Sequence, residues 1–588
     1  WLRDWINRGP NTFVQLEDGA DPAKVRSKIK DFITPYLATA NYGSGNHVEL
    51  GLQKYTDMYL NSTFKNGLPE GGRIEYVRLF TIIAVFILLI ACINFMNLAT
   101  ARSVKRAKEV GIRKTIGAIR RKLIVQFIGE AMLFTFFAVL ISLAFVFTSL
   151  PYFNNFTNKQ IQFPFLSFSF WLDILALLCI TGFVAGSYPA MFLSSLNPVK
   201  VLKGSLRFSS NALLFRKGLV VIQFVVSIAL IIGTIVVSQQ VNFVQTTNLG
   251  YDKENLVYIP FQGDLGNRYE TFKQQLLILP GVTAVDISAQ APSDIDAHVY
   301  DLEWQGKDPN TRIVGFHNGV GYDYAQTVGL QLINGRFFSR AFPSDTSHTH
   351  PNLVINETLA KILGFKNPIG QHMQFFGSIG TIIGVVKDYH FKSLHESIQP
   401  LVLYEGEGLN HGYALIKIEA GRTQQVIAGI EQIYKQLEAN YPFRYYFADD
   451  EYRKLYSSEI AVRKLSDGFS FFAIFISSLG LLGLSIFTAE QRRKEIGVRK
   501  VIGASVTGII TMLSTDIVKL VLIATVIASP LSWFALNIWL QGFAYRINIS
   551  WWIFVIAGIA ALLIALLTIS WQAIKAALAN PVMSLRTE

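Results

Sequence analysis

Seven stretches of this chain are each long and apolar enough to cross a lipid bilayer, and that limits every other choice. A hydrocarbon core about 30 Å thick needs about 20 apolar residues at helical rise. The stretches lie at about 79–99, 124–149, 168–193, 218–240, 468–488, 509–540 and 551–577. No water satisfies the backbone inside lipid, so each is expected to be a helix. Composition agrees. Charged residues make up 16% of the 588, against about 25% in soluble proteins. Charges within the spans include Glu130 in the second and Asp516 and Lys519 in the sixth. An intramembrane charge can be functional. Their places in the first turns instead predict an interfacial position or a contact with a neighbouring helix.

Orientation follows from lysine and arginine, which accumulate in cytoplasmic loops. The loop after the first span holds Arg102, Lys105, Arg106, Lys108, Arg113, Lys114, Arg120, Arg121 and Lys122 against one acid, Glu109. The loop after the third holds Lys200, Lys203, Arg207, Arg216 and Lys217, and the loop after the fifth Arg492, Arg493, Lys494, Arg499 and Lys500. Alternation of seven spans puts all three inside, with the N-terminus outside and the C-terminus inside. The net charge of +12 is thereby spent on a positive-inside flank, so nucleic acid is not an expected partner. Cys92 and Cys179 both fall in apolar runs, leaving no disulfide framework and no cysteine metal motif.

An internal repeat organises the rest. AKEVGIRKTIGA at 107–118 matches RKEIGVRKVIGA at 493–504, each between two spans, and LNPVKVL at 196–202 matches ANPVMSL at 579–585. Two equivalent three-span units result. Outside the membrane, 13–37 resembles 413–437, in each case a strand, a turn and an amphipathic helix. The outer segment 241–465 reads as mixed α and β in two lobes, with strands such as Leu256–Pro260, Val282–Ile287 and Thr381–Val386 and a helix at Thr423–Leu437. The first outer piece is then the tail of an equivalent domain. The polar, Met-less start at Trp1 reads as a truncation that removes one span and most of that domain.

Within the repeated motif, Glu109 and Arg113, like Glu495 and Arg499, stand at i,i+4 and support a helical turn. Lys114 and Lys500 follow. Gly111, Gly117, Gly497 and Gly503 are expected to break a long helix and to permit close backbone approach. A positive-inside flank accounts for the lysines and arginines. It does not account for the acid, for two glycines at fixed spacing, or for their return in both halves. A docking surface for a cytoplasmic protein accounts for all of them.

With GLQLINGRFF (329–338), VINETLAKILGFKNPIGQ (354–371) and IIGVVKDYHFKSLHESIQP (382–400) outside, these motifs resemble the FtsX-like permease and periplasmic core domains of MacB-type ATP-binding-cassette transporters, in the duplicated arrangement of Bacteroidetes-type permeases. The resemblance implies an α-helical inner-membrane protein with mixed α+β periplasmic domains. Residues 1–76 would be the C-terminal part of a first core domain and 77–215 a first FtsX-like unit. Residues 216–240 would be a linking helix, 241–465 a second core domain and 466–588 a second unit. It implies a pseudo-dimer within one chain and a separate cytoplasmic ATPase coupled through Glu109–Ala118 and Glu495–Ala504. Export or extraction of a substrate is the function expected, with a periplasmic adaptor and an outer-membrane factor as further partners. FtsX-like signalling to a cell-wall enzyme and lipoprotein release are the alternatives within the superfamily. A secondary transporter would need interrupted spans with polar groups at mid-membrane, and these spans are mostly uninterrupted.

No catalytic, cofactor or metal site is expected. The chain has no G-x-x-x-x-G-K-[ST] phosphate loop. GSIGTIIG at 377–384 reads as a turn between strands. His348 and His350, with His372, His390, His395 and His411, have no accompanying cysteine or carboxylate cluster. Asp388 and His390 form a conceivable acid–base pair but equally a turn. Asn61-Ser62-Thr63 matches a glycosylation sequon, which has no bearing in a bacterial source.

Overall fold

A computed structural model describes residues 12–39, 49–62, 64–65, 68–69, 72–157, 159–195, 210–300, 302–308, 311, 313–347, 349–406, 411–491 and 493–578. His348, Thr63 and the Asn-Pro-Val segments at 196–202 and 579–585 lie outside them. Among the described residues seven helices are long and apolar enough to cross a membrane: Arg73–Ala99, Arg120–Asn155, Phe168–Ser195, Leu214–Thr246, Ser457–Ile486, Val506–Leu540 and Trp552–Gln572. Five of them contain the whole expected stretch; the fifth stops two residues short of 488, and the seventh covers 552–572 of the expected 551–577. The first belongs to a continuous helix, Arg73–Thr115, about 65 Å long at 1.5 Å per residue. Its apolar span ends at Ala99, and the helix continues to Thr115.

The chain forms two compact units. One comprises Trp1–Ser209 with Phe471–Phe487, and the other Ser210–Ser470 with Thr488–Glu588. In the first, spans two and three pack through small residues. A Cβ added at Gly186 would lie 2.7 Å from that of Ala131, and one at Gly182 would strike Met132. Lipid offers no hydrophobic drive for such packing, so close backbone approach supplies the van der Waals contact. The middle of span five lies on span one. Asn94 Nδ2 donates to the Ile476 carbonyl (3.3 Å), and Leu98 fills the space a side chain at Gly483 would need. These are corresponding spans of the two repeats. In the second unit span four packs on spans six and seven, and Ile228, Ile232, Val521, Ala524, Ala557 and Ala565 are buried. Thr234 and Ser470 share a hydroxyl hydrogen bond between spans four and five (2.5 Å).

The outer domain of the second unit is built on one twelve-stranded sheet. Its central strands are β1 (Leu256–Pro260), β2 (Val282–Ser288), β3 (Val314–Val320), β4 (Asn352–Asn356), β5 (Ser378–Val386), β6 (Leu401–Glu405) and β7 (Tyr413–Ile418). Their spatial order is β1-β7-β2-β3-β6-β4-β5. β7 is antiparallel to β1 and β2, whereas β3 with β6 and β4 with β5 run parallel. A single pair, Ser288↔Val320, joins β2 to β3. The two lobes are therefore two ends of one sheet. Helix α1 (Tyr269–Ile278) and helix α3 (Thr423–Leu437) cover the first end, with Val426, Ile427, Ile430, Ile433 and Tyr434 buried at helical spacing. Helix α2 (Glu357–Leu363) covers the other.

Two expectations fail here. Of GSIGTIIG only Gly377 belongs to a turn, with Phe376, both at positive φ; residues 378–384 lie in β5. Residues 12–17 form no strand, although helices follow at Pro22–Ile29 and Thr34–Thr39. A strand is stabilised by its cross-strand pairs. No described strand pairs with this segment, and Phe13 and Val14 are exposed.

Candidate functional site

The repeated cytoplasmic motif forms a helical tip in each half. In the first half the long helix runs unbroken through Gly111 to Thr115. In the second, a helix Arg493–Val501 contains Gly497. Gly111 and Gly497 thus do not break their helices, contrary to expectation. Both are buried, beside the buried Val110 and Ile496. Val110 packs with Leu123 and Leu193, and Ile496 with Ile509 and Leu513. The apolar side of each tip is anchored to the start of the next span.

Gly117 and Gly503 do end their helices. Their φ angles are +100° and +94°, a region that costs a residue with a Cβ about 1–2 kcal/mol. The Gly117 N–H donates to Lys114 O (3.1 Å) and the Ala118 N–H to Arg113 O (2.9 Å). This is the paired closure of a helix C-terminus around a left-handed glycine. Ala504 N–H donates likewise to Arg499 O (2.9 Å). The fixed Ile-Gly-Ala spacing is thus a helix stop.

The charged side is shaped by ion pairs. Arg113 meets Glu109 at 2.6 Å and Arg499 meets Glu495 at 2.9 Å. Lys114 Nζ donates to Ser194 O at the end of span three (2.6 Å), and burial there lowers its pKa. Lys500 lies on the second helical tip, its side chain outside the described residues. Arg113 also donates to Gln126 (3.0 Å), which itself donates to Glu130, and Glu130 pairs with Arg106. Glu130 is therefore a partner for the cytoplasmic flank, as its expected contact with a neighbouring helix implied. Nothing in the sequence singles out Gln126, and Arg106 counts there only as one of the flanking cations; the repeat register sets Glu130 opposite Asp516 and Arg106 opposite Arg492, but Gln126 opposite Met512. Arg499 contacts Met512 in place of the glutamine.

What remains outward is apolar. Ile116 is 80% exposed and Ile502 78%, with Ile112 and Val498 about half exposed one turn earlier. Each tip therefore presents an aliphatic pair at i,i+4 beside a Glu–Arg pair, on a capped helix end.

The other residues singled out in the sequence do different work. Asp388 accepts from the Thr358 N–H (2.9 Å) and hydroxyl (2.8 Å) at the start of α2. His390 packs edge-on to Tyr545, 4.6 Å between centroids. They are no acid–base pair. Both line a cleft of about 530 Å³ with Asp252 and Lys387, where Asp252 is held by Lys417 (2.6 Å). Among the described residues the histidines do not gather with other ligands around one point.

Residues 81–198 and 468–581 match the family described as FtsX-like permease C-terminal, and residues 218–433 match the MacB-like periplasmic core domain. The chain belongs to the MacB-like, FtsX-like permeases. It is 30% identical over 178 residues to the macrolide export ATP-binding/permease protein MacB of Campylobacter jejuni, covering 30% of this chain and 27% of that one. To the MacB of Sodalis glossinidius it is 25% identical over 299 residues, 49% of this chain and 45% of that one. The permease thus spans under half the length of these relatives. Similar solved structures are the periplasmic region of MacB from Actinobacillus actinomycetemcomitans, at 16% identity, TM-score 0.26, 36% of this chain and 97% of that one, and a domain of a Porphyromonas gingivalis permease protein, at 16%, 0.24, 33% and 89%. With seven apolar helices among its described residues and a periplasmic core domain, the permease is a multi-pass inner-membrane protein.

Proposed function

We propose that the two tips, Glu109–Ala118 and Glu495–Ala504, are the surfaces on which a separate cytoplasmic ATPase docks, with Glu109, Gly111, Arg113, Lys114 and Gly117 of the first and Glu495, Gly497, Arg499, Lys500 and Gly503 of the second as the coupling residues. The observation that carries the reading is the exposure of Ile116 and Ile502. An aliphatic side chain on a rigid helix end, ringed by paired charges, has the anatomy of an interface anchor. A merely solvated flank would not hold it outward in both halves.

ATP hydrolysis on the partner would move the spans, and the spans would move the periplasmic domains. The chain itself carries out no chemistry in this scheme. The MacB relatives are named for macrolide export, and by analogy the outer domains here would push or release a substrate on the periplasmic side, with an adaptor and an outer-membrane factor beyond them. The two three-span units would act as a pseudo-dimer. The test is co-purification with the cognate ATPase, comparing wild type with Glu109→Lys plus Glu495→Lys. Loss of the ATPase from a folded permease is expected. Unchanged binding would return both motifs to the status of positive-inside flanks.

A further inference from the structure

His395 lies in the loop between β5 and β6, and its contacts come from the outer loop 541–547 and the start of the span-five helix. Its Nδ1 is 2.7 Å from the Gly542 carbonyl and its Nε2 3.2 Å from a Glu459 oxygen. The ring stacks on Phe543 at 4.0 Å between centroids. Backbone bonds tie the same pieces together. The Ala544 N–H donates to His395 O (3.3 Å), the Tyr545 N–H to Leu394 O (3.1 Å), and the Leu394 N–H to the Tyr456 hydroxyl (2.7 Å). Gln240, near the end of span four, donates to Tyr545 O and accepts from the Ile547 N–H. The outer domain, the outer loop between spans six and seven and the first turn of span five meet around one imidazole, and the end of span four holds the same outer loop.

Both ring nitrogens face acceptors. A neutral imidazole offers one N–H and one lone pair. Whichever nitrogen lacks its proton sets a lone pair against a carbonyl or a carboxylate. The imidazolium satisfies both contacts at once, and charge-assisted bonds of this kind are the stronger ones. The acids acting on the ring are Glu459, on the span-five helix, and Glu396, next to it in its own loop. The Tyr456 ring lies over it at 6.3 Å. The outer loop contributes the Gly542 carbonyl, and the uncharged Gln240 of span four bonds that loop at Tyr545 and Ile547.

The first unit has a counterpart. Lys159, in the outer loop between spans two and three, donates to the Tyr59 hydroxyl (3.0 Å), and Arg73, at the start of the first helix, covers the Tyr59 ring at 4.4 Å. There too the outer segment before the membrane grips the outer loop of its unit, through a cation that keeps its charge at neutral pH.

We propose that His395 is the positioning residue through which the second periplasmic domain grips the outer loop 541–547, and that its protonation sets how tightly domain and spans move together. Burial opposes the charge, but the Glu459 carboxylate and the Gly542 carbonyl outweigh it and raise the pKa of His395. A raised folded value means that the grip is complete below the ordinary histidine value of about 6.5 and is lost as pH rises through the folded value. Acid tightens the joint and alkali loosens it. The proposal does not depend on the docking of an ATPase.

The amides of Ala544 and Tyr545 report on the joint directly. Hydrogen exchange would be followed on the whole permease in lipid nanodiscs without ATPase, with protection corrected for intrinsic rates, between about pH 5 and pH 8 or slightly above. In wild type, protection of these amides should fall about fivefold through one titration step, the difference between a charge-assisted and an ordinary hydrogen bond. His395→Gln should abolish the step, and Glu459→Gln should move it to lower pH. A flat wild-type profile overturns the proposal, as does a step that persists in His395→Gln. Where His395→Gln fails to fold, Glu459→Gln decides alone, and a step that stays in place overturns it.

Discussion

Gly117 and Gly503 show how a single backbone angle can fix an exposed surface. At +100° and +94° they close the helical tips and hold Ile116 and Ile502 outward. Alanine at either position should cost about 1–2 kcal/mol of tip stability, seen as faster exchange of the Ala118 or Ala504 amide. Asparagine, which tolerates the left-handed region better, should cost less than alanine. The second residue-scale case is Asp345, fully buried and held by a bidentate Arg336 (2.7 and 2.9 Å), the Ser339 N–H and Asn352. Burial alone would raise its pKa. The Arg336 guanidinium and the two other donors prevail and hold it below the usual carboxylate range. The stability it contributes is therefore present above the unfolded carboxylate value of about 3.9 and is lost as pH falls through the folded one. Asp345→Asn leaves the arginine without its counter-charge and should destabilise the outer domain by about 3 kcal/mol. Thermal melts of the detergent-purified chain at neutral pH would measure the loss, and the gap between variant and wild type should close on acidification.

Elements were legible where their pattern is local. The spans announce themselves by length and the missing charge, and α3 by Val426, Ile430 and Ile433 on one face. The i,i+4 pairing of Glu109 with Arg113 also lay in the spacing. What could not be read was decided by distant partners. Gly111 lies in an unbroken helix because Val110 beside it packs on Leu123 and Leu193, contacts that no local pattern carries. Asp388, next to a histidine in sequence, is claimed instead by the N-terminus of α2. Residues 12–17 have strand-like sequence, and no strand among the described residues lies beside them. Span packing shows the same dependence. Gly186 passes as one more small residue in an apolar run until Ala131 is placed 2.7 Å from where its Cβ would be. Gly186→Leu should therefore force spans two and three apart at a cost of about 3 kcal/mol, read as a lower melting temperature. The same substitution at Gly129, whose Cβ would meet nothing within 4 Å, should leave the melt nearly unchanged.

At the scale of the whole molecule the decisive fact is that both tips belong to one polypeptide. Two tips that engage the two halves of one ATPase dimer bind as a linked pair, and linkage raises affinity by about 10²–10⁴ over either contact alone. Two tips that serve separate ATPases gain nothing from being linked. The two arrangements respond differently to single lesions. Glu109→Lys reverses the acid that meets Arg113 at 2.6 Å and leaves the second tip intact, and Glu495→Lys does the converse. Under paired docking either change alone should weaken apparent affinity for the nucleotide-trapped ATPase by about 100-fold or more, with the double variant below detection. Under separate docking either change should halve the number of ATPases bound and leave the affinity of the remainder untouched. A titration of the purified permease that reads stoichiometry and affinity together distinguishes the two. Paired docking is the expected result, because the tips share their helix stop, their Glu–Arg pair and their outward isoleucine, so the same partner surface fits both.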